Sequence, residues 1–337
     1  MEVSYQIKFF ERLQEFYPRK GEIIDRLSEL LHLKKDGIYR RMRGETILSV
    51  DELMVLAKAH RISIDNLLDI PKNDVVFTFN SFSNNIKEVD DYVENLSDLL
   101  KEFSKFGKSQ LYYASCEIPI FYYCLVPDVF AFKLYVWART VWNLDYFQNV
   151  SFSPDMISAD TRLHVPELFN LYKQIPTLEL WSYNIFDNTL SQIEYHFEGN
   201  MFKDGQIALD LCDGLMQIQE SMRQMAAHSA KFGNNGSKES GSELQLYHNE
   251  MIYTNNTLLF HHPYGKTLFT TFCNPNFIMS NDQRIADFSE NWFKTIINKS
   301  SLISGQNEKA RNKFFDSIKR KIEQSKNRIM IYMNQYH

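Results

Sequence analysis

Between residues 34 and 43 the chain reads Lys34-Lys35-Asp36-Gly37-Ile38-Tyr39-Arg40-Arg41-Met42-Arg43. Five basic side chains stand against one acid, a local balance of +4 in a chain whose formal charge is −5. Ammonium and guanidinium groups at this density neutralise phosphates, and an Arg fork also matches the O6/N7 edge of guanine. Tyr39 adds a hydroxyl, and Asp36 adds a carboxylate that can accept from cytosine N4. Contact with nucleic acid is the chemistry these residue types support. A charge run by itself is more often the solvated face of a helix, so the reading rests on what positions it.

Other chemistry is sparse. Gly265-Lys266-Thr267 has the ending of a phosphate-binding loop, but Phe260 stands where the first glycine belongs and the segment lies between expected strands. His196-Phe197-Glu198 is not followed by the Pro-Cys-x-x-Cys of a zinc deaminase. His261 and His262 are adjacent and would point to opposite faces of a strand, a poor metal pair. Asp210 and Asp213 read as solvent-facing carboxylates on a helix. No GxSxG, HExxH or GxGxxG occurs. The expectation is no catalytic residue, no metal, no cofactor and no enzyme.

With 337 residues, 44% of them hydrophobic, the chain is long enough for two or three globular domains. Residues 1–72 carry a net charge of only +1, so any affinity for DNA must come from a local patch. Cys116, Cys124, Cys212 and Cys273 form no CxxC pair, which fits a reducing cytoplasm. The first sixteen residues are charged throughout, unlike a signal peptide. The most apolar run, Ile118 to Pro127, is about half the length of a membrane span. A cytoplasmic protein without a membrane partner is expected.

Apolar spacing predicts helices over 4–16 (Ile7, Phe10, Leu13, Phe16) and from Glu22 to Leu31, then a tight connection His32-Leu33-Lys34-Lys35 and a short helix to Arg43. Ser49 and Glu52 form a capping box that opens a helix through Leu53, Leu56 and Ala57. Ser63 with Asp65 opens a fifth short helix through Leu68, and Pro71 stops it. Asp36 is read as the cap of the basic helix, since Lys34 is a poor one.

This ordered set is Leu27-Ser28-Glu29-Leu30-Leu31-His32-Leu33, then Ile38 to Glu45, Leu48-Ser49-Val50-Asp51-Glu52-Leu53, Ala57-Lys58-Ala59 and Ile62 to Leu68. Over residues 21–70 it resembles the phage-repressor-like helix-turn-helix transcription regulators (XRE, Cro/CI type). The resemblance implies a five-helix, lambda-repressor-like domain whose second motif helix enters the major groove of double-stranded DNA. By position it implies base contacts from Lys35, Asp36, Tyr39, Arg40 and Arg41, and phosphate contacts from Lys34 and Arg43. Three places depart from the pattern. His32 stands where the family turns on glycine, His60-Arg61 replaces Leu-Gly, and Arg41 fills a normally apolar slot, with Ile38 and Met42 supplying the packing stripe. Which of Arg40 and Arg41 faces the bases stays open.

Beyond this domain (1–72), residues 73–83 read as a linker containing a β-like run, Val75 to Phe79. In a helical region, 84–232, Ile86, Val89, Val93, Leu96, Leu100 and Phe103 step as a heptad seam, either packed internally or pairing two chains. Aromatic residues crowd 110–147, as core or as the lining of a pocket for a small apolar or aromatic ligand. Helices are expected over Val129–Trp142, Pro166–Gln174, a segment with Leu190, Ile193 and Phe197, and one with Ile207 through Met225. Asp160 and Thr161 mark a loop. Residues 233–243 read as flexible, and 244–337 as an α+β region. There, 244–253 and 257–260 form a hairpin, 267–272 extends the meander, and two helices follow. The last helix carries a basic face, solvated or a second DNA contact.

The expected fold is mainly α with a small antiparallel β-meander. The expected function is a sequence-specific DNA-binding transcription regulator, a homodimer, with a C-terminal region for dimerisation and for an effector, small molecule or protein, that the sequence does not identify. The alternatives are a protein-interaction or antitoxin-like module on the same fold, and an unrecognised enzyme tethered to DNA.

Overall fold

The computed structural model describes residues 4–14, 16–17, 20–60, 62, 64, 74–79, 86–233, 241–250 and 254–335. The chain forms two compact units, Met1–Asp74 and Val75–His337.

In the first unit four helices are described: α1 (Tyr5–Gln14), α2 (Lys20–Leu31), α3 (Lys35–Met42) and α4 (Val50–His60). They bury Phe9, Phe10, Leu13, Ile23, Ile24, Leu27, Ile38, Leu56 and Ala57, with Met42, Ile62 and Ile64 packed at the rim. Ile38 and Met42 thus form the expected stripe of α3. The fifth helix expected from Ser63 to Leu68 and its stop at Pro71 lie outside the described residues. Most of the expected flexible segment 233–243 and the helix start near Asn84 also lie outside them.

Two turns set the helix ends. His32 adopts φ 53°, and its N–H and that of Leu33 reach back to the Glu29 and Ser28 carbonyls. This closes α2 in the six-to-one pattern that usually recruits glycine at the left-handed position. Gly44 closes α3 in the same way, with φ 76° and the Glu45 N–H on the Arg40 carbonyl.

The second unit is built on one eight-stranded sheet in the order β1-β7-β6-β5-β2-β3-β4-β8. The strands are β1 (Thr78–Phe79), β2 (Gln110–Ser115), β3 (Thr177–Trp181), β4 (Leu244–His248), β5 (Thr257–His262), β6 (Gly265–Cys273), β7 (Asn276–Ser280) and β8 (Ser301–Leu302). β2, β3 and β4 run parallel, and the other pairings are antiparallel. The expectation of a small meander is therefore corrected. The β5–β6 meander forms as expected, but it is only one part of a mixed sheet. The hairpin between 244–253 and 257–260 does not form, because β2 and β3 lie between β4 and β5. The division at 233–243 is likewise not a structural one, since strands from both sides share this sheet. Thr78–Phe79, placed in the linker, pairs with β7 at the edge.

Helices α5 (Val89–Ser104), α6 (Ile120–Tyr123), α7 (Pro127–Thr140), α8 (Asp145–Gln148), α9 (Ala159–Tyr172), α10 (Asp187–Glu198), α11 (Gln206–His228), α12 (Gln283–Ile297) and α13 (Glu308–Gln335) complete the unit. The whole heptad seam of α5 is buried in the unit's main core, where Phe103 stacks on Phe260 at 4.0 Å. That seam is spent internally and cannot pair two chains. α9 starts before Pro166: the Ser158 hydroxyl caps it by accepting from the Thr161 N–H, so the expected loop at Asp160–Thr161 is its first turn. α12 covers a separate small core containing Ala114, Leu180, Leu259, Leu268, Ala286 and Phe293. No helix among the described residues is long and apolar enough to cross a membrane.

Polar groups are sealed inside this unit in bonded sets. Glu179, mid-strand in β3, accepts from the Tyr122 and Tyr172 hydroxyls at 2.7 Å each and from Thr177 Oγ1 at 3.1 Å. Burial raises its carboxyl above the usual range. Lys133, fully buried in α7, donates to Glu117 Oε2 at 3.2 Å and to Gln192 Oε1 at 2.9 Å.

α7 and α11 approach closely only because residue 214 lacks a side chain. A Cβ there would lie 2.5 Å from Val129 Cγ2 and 3.1 Å from Val126 Cγ1. Overpacking of this kind costs about 1–3 kcal/mol, more than the ~1 kcal/mol that alanine gains over glycine in a helix. Gly214→Ala is therefore expected to lower the thermal midpoint of the second unit. A raised midpoint in calorimetry would show that the helices are farther apart.

Candidate nucleic-acid interface

At about 100° per residue, positions i, i+3, i+4 and i+7 of a helix share a face. On α3 those positions are Asp36, Tyr39, Arg40 and Arg43, opposite the buried Ile38. The structure brings these four together: all are exposed, Tyr39 at 46%. Lys34 and Lys35 are exposed at the start of the helix.

Arg41 is not part of that face. Its side chain is only 15% exposed, and its guanidinium forks onto Glu52, Nε to Oε2 at 3.1 Å and Nη2 to Oε1 at 2.8 Å. Nη1 also donates to the Gly37 carbonyl at 3.2 Å. The expectation of base contact from Arg41 is corrected accordingly, and Arg40 is the outward one of the pair. An arginine fits the apolar slot because its stem packs while its fork finds a matched carboxylate.

Glu52 serves two partners at once. Its Oε2 accepts from the Ser49 N–H at 2.9 Å, while its own N–H donates to Ser49 Oγ at 3.1 Å, completing the capping box of α4. Burial pushes the Glu52 carboxyl up, but the Arg41 fork and the Ser49 N–H outweigh it and hold the group below its usual value.

Asp36 does not cap α3. The N-cap is Lys34, at φ −70° and ψ 153°, with no side-chain cap bond. Among the described residues the Asp36 side chain makes no hydrogen bond or ion pair. It stands in the first turn, where a carboxylate favours the helix dipole.

Three of the outward cations are held by acids. Lys35 pairs with Asp25 of α2. Arg43 forks onto Glu45, Nε to Oε1 at 2.6 Å and Nη2 to Oε2 at 3.1 Å, and Arg40 Nε lies 3.8 Å from the same carboxylate. The Arg43 guanidinium holds the Glu45 carboxyl below the usual range.

Gln6 is a positioning residue that the sequence did not announce. Its Nε2 donates to the Arg41 and Thr46 carbonyls at 2.7 and 2.8 Å, and its Oε1 accepts from the Leu48 N–H at 2.9 Å. One amide on α1 thereby fastens the end of α3 and the loop into α4. Its partners are 35 to 42 residues away, so no local pattern marks it. His60, at the second departure from the family pattern, is also engaged. Its Nδ1 donates to the Leu56 carbonyl at 2.9 Å, and its Nε2 accepts from the Tyr17 hydroxyl at 2.5 Å.

Four cations of α13 are tied down within its own unit. Lys321 Nζ lies 2.8 Å from both carboxylate oxygens of Asp187, Lys326 pairs with Asp213, and Arg328 with Glu194. Arg311 is buried and donates to the Ile303 and Gly305 carbonyls. These cations fasten α13 to α10, α11 and the preceding loop.

Comparison with protein-family models, with curated proteins and with solved structures returned no match for this chain.

The Arg41–Glu52 fork is half-sealed, and a double-mutant cycle with Arg41→Met and Glu52→Gln is expected to give a coupling of about 1–3 kcal/mol. Because the folded-state pKa of Glu52 is depressed, its contribution is complete above its unfolded value, about 4.3. It is lost as pH falls through the folded value. Stability of Glu52→Gln should therefore fall less than wild type on acidification below about pH 4.3. Parallel acid limbs for the two proteins would contradict the fork.

Proposed function

We propose that the chain is a sequence-specific DNA-binding regulator of transcription. In this reading α2 and α3 form the helix-turn-helix, and α3 enters the major groove. The observation that carries it is the inward turn of Arg41, which leaves Asp36, Tyr39, Arg40 and Arg43 as one outward stripe on a short helix behind a tight turn. Arg40 and Tyr39 reach base edges, joined by Asp36 and Lys35, while Lys34 and Arg43 hold phosphates. The motif order over residues 21–70 supports the same reading.

A single helix of this length buries little surface on DNA. Useful affinity comes from two copies on half-sites about 34 Å apart, so the protein acts as a homodimer. The heptad of α5 is not the seam that joins them.

Glu45 competes with DNA for Arg40 and Arg43, since a base edge or a phosphate must displace its carboxylate. Full-length protein is expected to bind random duplex with an affinity that falls steeply with salt, about 0.9 in log–log slope for each phosphate neutralised. Arg40→Ala with Arg43→Ala should weaken binding at least about tenfold and flatten that slope by roughly two units at most. Glu45→Gln should tighten binding. If the double variant binds like wild type, α3 is not the DNA-contacting face.

A further inference from the structure

α4 turns Leu56 and Ala57 into the core of the first unit and Glu52 toward Arg41. What it leaves to solvent is one continuous stripe. Val50, Asp51, Met54, Val55, Lys58 and Ala59 are all exposed, at i, i+1, i+4, i+5, i+8 and i+9. That spacing marks a single side of a helix. Much of the stripe is apolar, with Val50 74% exposed, Met54 40% and Val55 42%. Ile47, in the loop before α4, adds a side chain that is 84% exposed. Asp51 and Lys58 stand toward the two ends and make no ion pair among the described residues.

An acid in the first turn and a base in the last both favour the helix dipole. The dipole gives no reason for the apolar side chains held in water beside and between them. A partner does, and the order of charges selects which one. Two antiparallel helices set residues opposite each other wherever their numbers share one constant sum. About a two-fold axis crossing α4 between Met54 and Val55, Asp51 of each copy faces Lys58 of the other. Met54 then meets Val55, and Val50 meets Ala59. Every pair is opposite in charge or apolar on both sides. Run parallel in register, the same helices would set Asp51 on Asp51 and Lys58 on Lys58.

We infer that α4 is a contact between two copies of this chain, packed antiparallel across a two-fold axis. Such a contact needs a surface complementary to itself, and the order of charges along the stripe meets that need. The Arg41–Glu52 fork joins α3 to α4, so the contact carries two α3 helices into a symmetric pair. That use rests on the proposed reading of DNA by two copies; the contact itself does not. One side of an eleven-residue helix is small against the ~1,200–2,000 Å² of a stable complex. Association is therefore weak in free solution and strengthens where DNA holds two copies together.

Sedimentation of the full-length protein without DNA, over rising concentration, tests the contact apart from the DNA reading. Wild type is expected to exchange reversibly between monomer and dimer. Asp51→Lys and Lys58→Asp each set like charges opposite at both ends of the contact. Each should weaken self-association at least about tenfold. Mixed in equal amounts, the two variants should pair as wild type does, because opposite charges again face each other. With the chain at −5, both variants stay negative, so overall attraction does not account for that recovery. Met54→Asp brings two carboxylates together near the axis and should abolish pairing, and it carries the test if a charge swap fails to fold. A wild type that stays monomeric at every concentration would overturn the contact. So would folded variants that self-associate like wild type, or a mixture no better than either variant alone. Absence of duplex binding by a wild type that pairs through α4 would sink the DNA reading alone.

Discussion

A guanidinium drawn into the seam between α3 and α4 sets the geometry of the first unit. Arg41 meets Glu52 in a two-bond fork, and the same carboxylate closes the capping box with Ser49. Three things follow from one acid: α4 has its start, α3 has its rotation, and the remaining side chains of α3 have their direction. Rotated by one residue, the helix would bury Tyr39 and turn Arg41 outward, and the outward stripe of Asp36, Tyr39, Arg40 and Arg43 would dissolve. Gln6 holds the other side of the same joint by bonding the Arg41 carbonyl. Fixing α3 through polar bonds of defined angle limits its freedom to roll, which the proposed reading of base edges requires.

The second unit uses the same device on a larger scale. Its helices pack around a sheet in which β3, the middle of the three parallel strands, is buried at every residue, as expected of a parallel strand covered on both faces. Yet Glu179 sits in the middle of that strand, three hydroxyls donating to its Oε1, and Lys133 sits in the middle of α7, bonded to Glu117 and Gln192. Such groups are tolerated only when partners are fixed in place, so they select one packing arrangement among many apolar alternatives.

Where partners lie close in sequence, the residues were readable. The capping box, the Ile38–Met42 stripe, the α5 seam and the β5–β6 pairing each follow from spacings of a few residues. The left-handed turn at His32 was foreseeable as a constraint, and the backbone adopts it despite the side chain. The misreadings share a different cause. The direction of Arg41 depends on Glu52, eleven residues away across a turn. β3 is five residues, Thr-Leu-Glu-Leu-Trp, with a charge at its centre, so neither periodicity marks it. β4 and β5 looked like a hairpin because each lacks a local signal for its true partner, β3 for one and β2 for the other. Asn256 and Cys116 meet across 140 residues, beyond any reading of local pattern.

The central claim is that the outward face of α3 reads DNA sequence in a two-fold arrangement. Selection of bound duplex from a random pool by the full-length protein tests it most directly. The account predicts recovery of an inverted repeat with half-site centres about one helical turn apart, and loss of that enrichment when Arg40 and Tyr39 are both replaced by alanine. A pool that stays random after repeated rounds, or an enriched motif unchanged by those substitutions, would contradict it.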